Sequence, residues 1–307
     1  MRYFLVLIAV NLMWAFQFSG AKIATENLGP LTVTVLPVIL SALLLAPFIL
    51  MKRKRREGPR PSVWRLALEC AVLGVFGSLF SQLGLTWGVQ RSLASNAAVL
   101  SLTIPVLTAA LAAMMLGEKM TRVRWISFGL AIAGVLIVSD IDWGSVELVG
   151  GGYLVGNLLV FASCVGSAFY NTFSKRLLQW LDPVEVLVYS FIATSAVLLP
   201  VALAREPDSF GKVFSLGWPV WASLLTIALL SLALSMVLFL WVIDKIDVTQ
   251  ASLSIYLLPV FGVMISSFTL REAVTWELVA GGVMVVVSTF LVTIYEERKK
   301  AARAATA

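Results

Sequence analysis

Asn11, Trp14, Phe18 and Lys22 follow one another at spacings of three, four and four inside an otherwise apolar run. On a helix those spacings put all four side chains on one face. An amide and an indole within a hydrocarbon stripe supply hydrogen bonds and a flat ring where lipid supplies neither, as binding a small solute inside a membrane requires. Cys164, Ser167, Asn171 and Lys175 repeat the spacing, with Tyr170 beside them. The mid-depth members of both stripes read as opposite walls of a substrate cavity. The competing reading has them hydrogen-bonding neighbouring helices. Both lysines read as snorkelling to a membrane surface.

Further polar residues interrupt other apolar runs. Ser78, Ser81, Gln82 and Trp87 fall in one, Ser92, Asn96 and Thr103 in the next. Ser231, Ser235 and Trp241, then Gln250, Ser254 and Tyr256, answer them later in the chain. Asn96 and Gln250 occupy equivalent positions and would guard opposite mouths of a cavity; as residues near helix starts they would equally serve as caps. Pro105 and Pro259 lie near the middle of their runs, where a missing N–H and a ring clash bend a helix, and are candidate hinges. Glu118 and Glu272, each three residues before a threonine, read as structural carboxylates at the start of the following helix. Gly84 with Gly88, and Gly74 with Ser78, have the four-residue spacing of close helix contacts.

What is absent narrows the chemistry. The chain has no His, which removes the usual near-neutral proton acceptor and the commonest metal ligand. No Asp or Glu falls near the middle of an apolar run; Glu69 and Glu185 come nearest, about one turn in. Cys70 and Cys164 have no metal-ligand spacing, and no phosphate-binding loop occurs. An enzyme is therefore not expected, nor a cofactor or a metal, and nothing in the sequence points to a coupling ion.

The elements that must position these residues follow from composition. Of 307 residues, 60% are hydrophobic and 13% charged, against roughly 45–50% and about 25% in soluble domains. Apolar runs near the 20 residues a bilayer requires fall at 3–23, 31–51, 66–88, 93–116 and 123–140, then at 153–174, 184–204, 219–243, 248–270 and 275–295. The halves match. At a shift of 153, Lys22 falls on Lys175 and Pro30 on Pro183; at 154, Trp87 falls on Trp241, Pro105 on Pro259 and Glu118 on Glu272. Five spans per repeat is an odd number, so the repeats must lie upside down relative to one another, as in many carriers.

The expected fold is an all-α membrane protein of ten transmembrane helices in two inverted five-helix repeats. Residues 1–140 form the first repeat, 141–152 an external linker, 153–295 the second repeat and 296–307 a cytoplasmic tail. The apolar run after Met1-Arg2 reads as a retained first span. With the N-terminus inside, eighteen of the 23 Lys and Arg fall on inner segments, so both termini are expected in the cytoplasm. The net charge of +6 is then a topology signal beside anionic lipid and calls for no nucleic acid.

Residues 104–138, IPVLTAALAAMMLGEKMTRVRWISFGLAIAGVLIV, resemble the second half of an EamA domain of the drug/metabolite transporter superfamily. Residues 258–292 look like the same element repeated, and Trp14-Ala15-Phe16 with Lys22 is similar to the family's first span, where glycine more often follows the Trp. The resemblance implies export or exchange of small metabolites, amino acids or drug-like compounds across the inner membrane by alternating access. It leaves the substrate open. The partners expected are the bilayer and a small solute, with pairing of two copies left open; a lipid-linked solute flippase and a membrane receptor or scaffold are the rivals.

Overall fold

A computed structural model describes residues 2–49, 61–92, 100–118 and 154–270, with isolated positions at 97, 121–133 and 276–295. Helix α1 covers Arg2–Thr25, α2 Pro30–Ile49, and α3 Val63–Arg91. Helix α4 covers Thr103–Leu116, α5 Leu154–Leu177, and α6 Pro183–Arg205. Helix α7 covers Trp218–Ile243; a short helix, Val248–Ser252, and a 3-10 segment, Leu253–Leu257, lead into α8, Leu258–Leu270. These match the first to fourth and sixth to ninth expected spans. The fifth and tenth spans, the linker and the tail fall outside the described residues, apart from isolated helical positions.

Five of the helices, α1, α2, α3, α6 and α7, are long and apolar enough to cross a membrane. At 24 residues, α1 is about 36 Å long, enough for a hydrocarbon layer of about 30 Å. Leu43, Phe76, Ile192 and Phe268 are exposed on the outside, as lipid-facing positions should be. Local sequence sets the ends. Ser62 accepts from Arg65 N at 3.3 Å; Asp182 and Glu185 form a capping box ahead of α6; Gly117 ends α4 at φ 68°, a conformation that favours a residue without Cβ.

The halves make equivalent contacts. Helix α1 packs on α7 and α8, as α5 packs on α3 and α4, while α2 meets α6 across the join. Both α3 and α7 contain a π turn, at Leu73–Leu79 and Ile227–Leu234, positions related by the shift of 154. With lipid tails as apolar as Leu, such contacts depend on close fit, and the glycines supply it. A Cβ on Gly88 would lie 2.4 Å from Val160 Cγ2, and one on Gly156 2.6 Å from the Arg91 carbonyl oxygen. Gly156→Val is accordingly expected to cost about 2 kcal/mol by pushing α5 off α3, measured as a lowered unfolding midpoint in detergent.

A candidate substrate cavity between the halves

A cavity with about 90 Å³ of solvent-accessible volume lies among α1, α3, α5 and the starts of α4 and α8. Trp14, Gln17 and Phe18 face it from α1, as do Ser78, Ser81, Gln82 and Leu85 from α3. Ser163, Ser167, Tyr170 and Asn171 face it from α5, with Phe191, Ser231 and Met236 completing the far side. Ser101, Ile104, Ile255 and Leu258 close it, at the turn ahead of α4 and where the 3-10 segment meets α8.

Hydrogen bonds tie these walls together. Gln17 Nε2 donates to Gln82 Oε1 at 2.5 Å, linking α1 to α3. Ser81 and Ser167 pair at 2.6 Å, linking α3 to α5. Ser231 Oγ donates to the Met13 carbonyl at 2.8 Å, joining the π turn of α7 to α1. Trp14 packs its ring 5.0 Å from that of Phe239.

Of the sequence candidates, Trp14, Phe18, Ser78, Gln82, Ser167, Tyr170 and Asn171 line this cavity. Others sit beside it. Asn11 is wholly buried and donates to the Leu7 carbonyl at 2.7 Å and to Ser254 Oγ at 3.0 Å, holding α1 to the 3-10 segment. Tyr256 is buried in the same segment. Ser235 donates to the Ser231 carbonyl at 2.6 Å and Thr103 to the Leu100 carbonyl at 2.8 Å. Gln250 lies half-buried in the helix Val248–Ser252, its Oε1 without a protein partner among the described residues. Asn96 lies outside the described residues. Pro105 is the third residue of α4 and Pro259 the second of α8. In a first turn a missing N–H leaves no helical bond unmade.

Sequence reasoning missed Gln17, Ser101 and Ser163. The signal for Ser163 was available: with Ser167, Tyr170 and Asn171 it follows helical spacings of four, three and one, a broader stripe than the one considered. Gln17 stands three residues after Trp14, at the edge of the first stripe.

The lysines differ from expectation. Lys22 Nζ donates to the Val89 and Ser92 carbonyls, both at 3.2 Å, and Lys175 Nζ to those of Ile243 and Ile246, the latter at 3.1 Å. Each cation therefore caps the carbonyl end of a helix, α3 or α7, where the helix dipole favours it. The bonds correspond under the repeat shifts. Glu118 also differs: its carboxylate accepts from Val248 N at 2.9 Å, Thr249 N at 3.1 Å and Thr249 Oγ1 at 2.6 Å. It thus caps the ninth span, in the other half, instead of the helix that follows it. Glu206 does the same for α2, accepting from Leu31 N, Thr32 N and Thr32 Oγ1. Glu272 lies outside the described residues.

Helices with apolar outer surfaces, two halves in equivalent contact and, between them, a largely apolar cavity with polar side chains in its wall define a multi-pass membrane protein of the transporter class. The chain belongs to the EamA-like transporter family, which it matches over residues 1–140 and again over 154–294. It is 22% identical over 303 residues to the uncharacterized transporter YoaV of Bacillus subtilis, covering 97% of this chain and 99% of the relative. It is 26% identical over 293 residues to a probable terminal-alkyne amino-acid exporter of Streptantibioticus cattleyicolor, covering 93% and 91%. A crystal structure at 17% identity superposes with a TM-score of 0.75 over 97% of this chain and 98% of the other, a likeness of fold.

Proposed function

We propose that this protein is a secondary carrier that exports or exchanges small organic metabolites, amino acids or drug-like compounds across the plasma membrane by alternating access. The observation that carries this reading is the cavity between two halves whose contacts correspond. In the full reading ten helices form two inverted five-helix repeats, both termini are cytoplasmic, and the chain catalyses no reaction. The central walls suit neutral, zwitterionic or partly apolar solutes. Amino-acid export by one relative supports the amino-acid part of the range. Proteoliposomes loaded with a metabolite extract are the test: the carrier reading requires loss or exchange of particular solutes that empty liposomes do not show.

Flipping of a lipid-linked solute would need a side opening to the cavity. An apolar crevice does lie between α2, α3 and α6, at Leu79, Leu83, Trp87 and Val201, yet it shares no lining residue with the cavity. That favours a carrier of free solutes. The proposed hinges are Pro105, just after the turn ahead of α4, and Pro259, just after the 3-10 segment. Pro105→Ala and Pro259→Ala should each move thiol accessibility at the two mouths, around Asn96 and Gln250, in opposite directions. Topology has its own check: a Cys at position 147 should react with an impermeant reagent from outside, and one at position 57 should not. Both positions lie outside the described residues, and the reverse labelling would overturn the orientation.

A further inference from the structure

Among the described residues, no side chain lining the cavity carries a charge. A carboxylate or ammonium group brought there would leave water for a wall with no counter-ion, which costs several kcal/mol unless hydrogen bonds replace the lost hydration. Carriers elsewhere meet this cost by aiming the free N–H groups of a broken helix at the anion. Here two of the N–H groups at such helix starts are already engaged. At the starts of α4 and α8, Ile104 N–H is bonded to the Ser101 carbonyl at 3.1 Å and Leu258 N–H to the Ile255 carbonyl. Pro105 and Pro259, next along, have no N–H to give.

What the wall does offer is amides and rings. The Gln17–Gln82 bond uses one N–H and one carbonyl oxygen, and each of these primary amides has further donor and acceptor capacity. Asn171 adds an amide from the opposite helix. Ser78 Oγ, in a side chain 3% exposed, has no partner among the described residues. A buried hydroxyl left in that state is stabilised by a ligand that supplies the missing bond. Trp14, Phe18, Tyr170 and Phe191 provide flat apolar surface around these groups.

We infer that the cavity selects an uncharged, flat ring compound whose edge carries an amide- or lactam-type donor and acceptor side by side. The inference rests on reading the cavity as a carrier's substrate site, and it narrows that site's range to the uncharged part. Primary amides on the wall offer both donors and acceptors to such an edge, whereas a carboxylate of the same shape offers acceptors alone and brings a charge with no counter-ion among the lining residues.

Three pyridines of one shape and different charge test this: nicotinamide, its carboxylate analogue nicotinate, and its aminomethyl analogue, a cation at neutral pH. Binding to the purified full chain in detergent is measured by calorimetry. Nicotinamide should bind at least about tenfold more tightly than either charged analogue, and Gln82→Leu should lose at least about tenfold of that affinity. Equal or tighter binding of either analogue, no binding of nicotinamide, or an unaffected Gln82→Leu overturns the inference. Should Gln82→Leu fail to fold, the three-probe comparison on the unaltered chain decides alone. Liposome exchange separates the two readings. Exchange of a zwitterionic amino acid that nicotinamide does not inhibit leaves the carrier standing and removes this selectivity. Selective nicotinamide binding without exchange of any solute removes the carrier and leaves the selectivity.

Discussion

Glu118→Ala is expected to release the start of the ninth span. The carboxylate holds two backbone N–H groups and one hydroxyl there, and hydrogen bonds to a charged group are each worth about 1.5–3 kcal/mol. Allowing for water reaching the freed groups, a net loss of about 3 kcal/mol corresponds to about a hundredfold in the ratio of clasped to released forms. The readout is a cysteine placed at Gln250, next to Thr249, with the buried Cys70 and Cys164 replaced by Ser. Its reaction with a soluble thiol reagent should accelerate at least about tenfold in the Glu118→Ala variant. Glu118→Gln, which keeps one acceptor oxygen, should fall between. An unchanged rate in Glu118→Ala would mean that the clasp contributes little to holding this end closed.

Trp14→Ala should have the largest effect on the cavity itself. The indole is half-buried between the cavity and Phe239, so its removal takes away both a wall and a packing partner. Loss of a large aromatic side chain costs about 3–5 kcal/mol at a fully buried site; about 2 kcal/mol is expected for this half-buried one. Solute exchange in liposomes should fall at least about tenfold if, as proposed, the lost surface is part of the wall that meets the solute. Trp14→Phe keeps the flat ring and should retain most of the exchange. Full exchange by a folded Trp14→Ala protein would remove Trp14 from the substrate wall.

How much of this was legible in the sequence depended on the distance over which each residue acts. The stripe Trp14–Phe18 and the group Ser167, Tyr170 and Asn171 were legible because a helix puts such spacings on one face whatever surrounds it. Periodicity gives the face but not the neighbour. For that reason Thr103, Ser235 and Tyr256 fell to helix contacts, and Asn11 to a bond with Ser254. Lys22 finds its carbonyls 67 and 70 residues away, and Glu118 its amides 130 and 131 away. No local pattern predicts a partner at that separation. The π turns had no signal either, since a run such as LGVFGSL suits an α-turn as well. Their equivalence could have been inferred from the repeat only after one of them had been seen.

The crossed packing of α1 on α7 and α8 also sets an order of events during synthesis. Asn11 is joined to Ser254, 243 residues later. At roughly 5–20 residues per second, a newly inserted α1 waits from about ten seconds to nearly a minute before its partner exists. Throughout that interval Asn11 stands in the bilayer without Ser254, whereas Gln82, the partner of Gln17, follows only 65 residues behind it. The first family repeat, residues 1–140, is therefore an unfinished protein and not an independent one. Severed from the second segment, it would need that segment made at the same time in the same membrane.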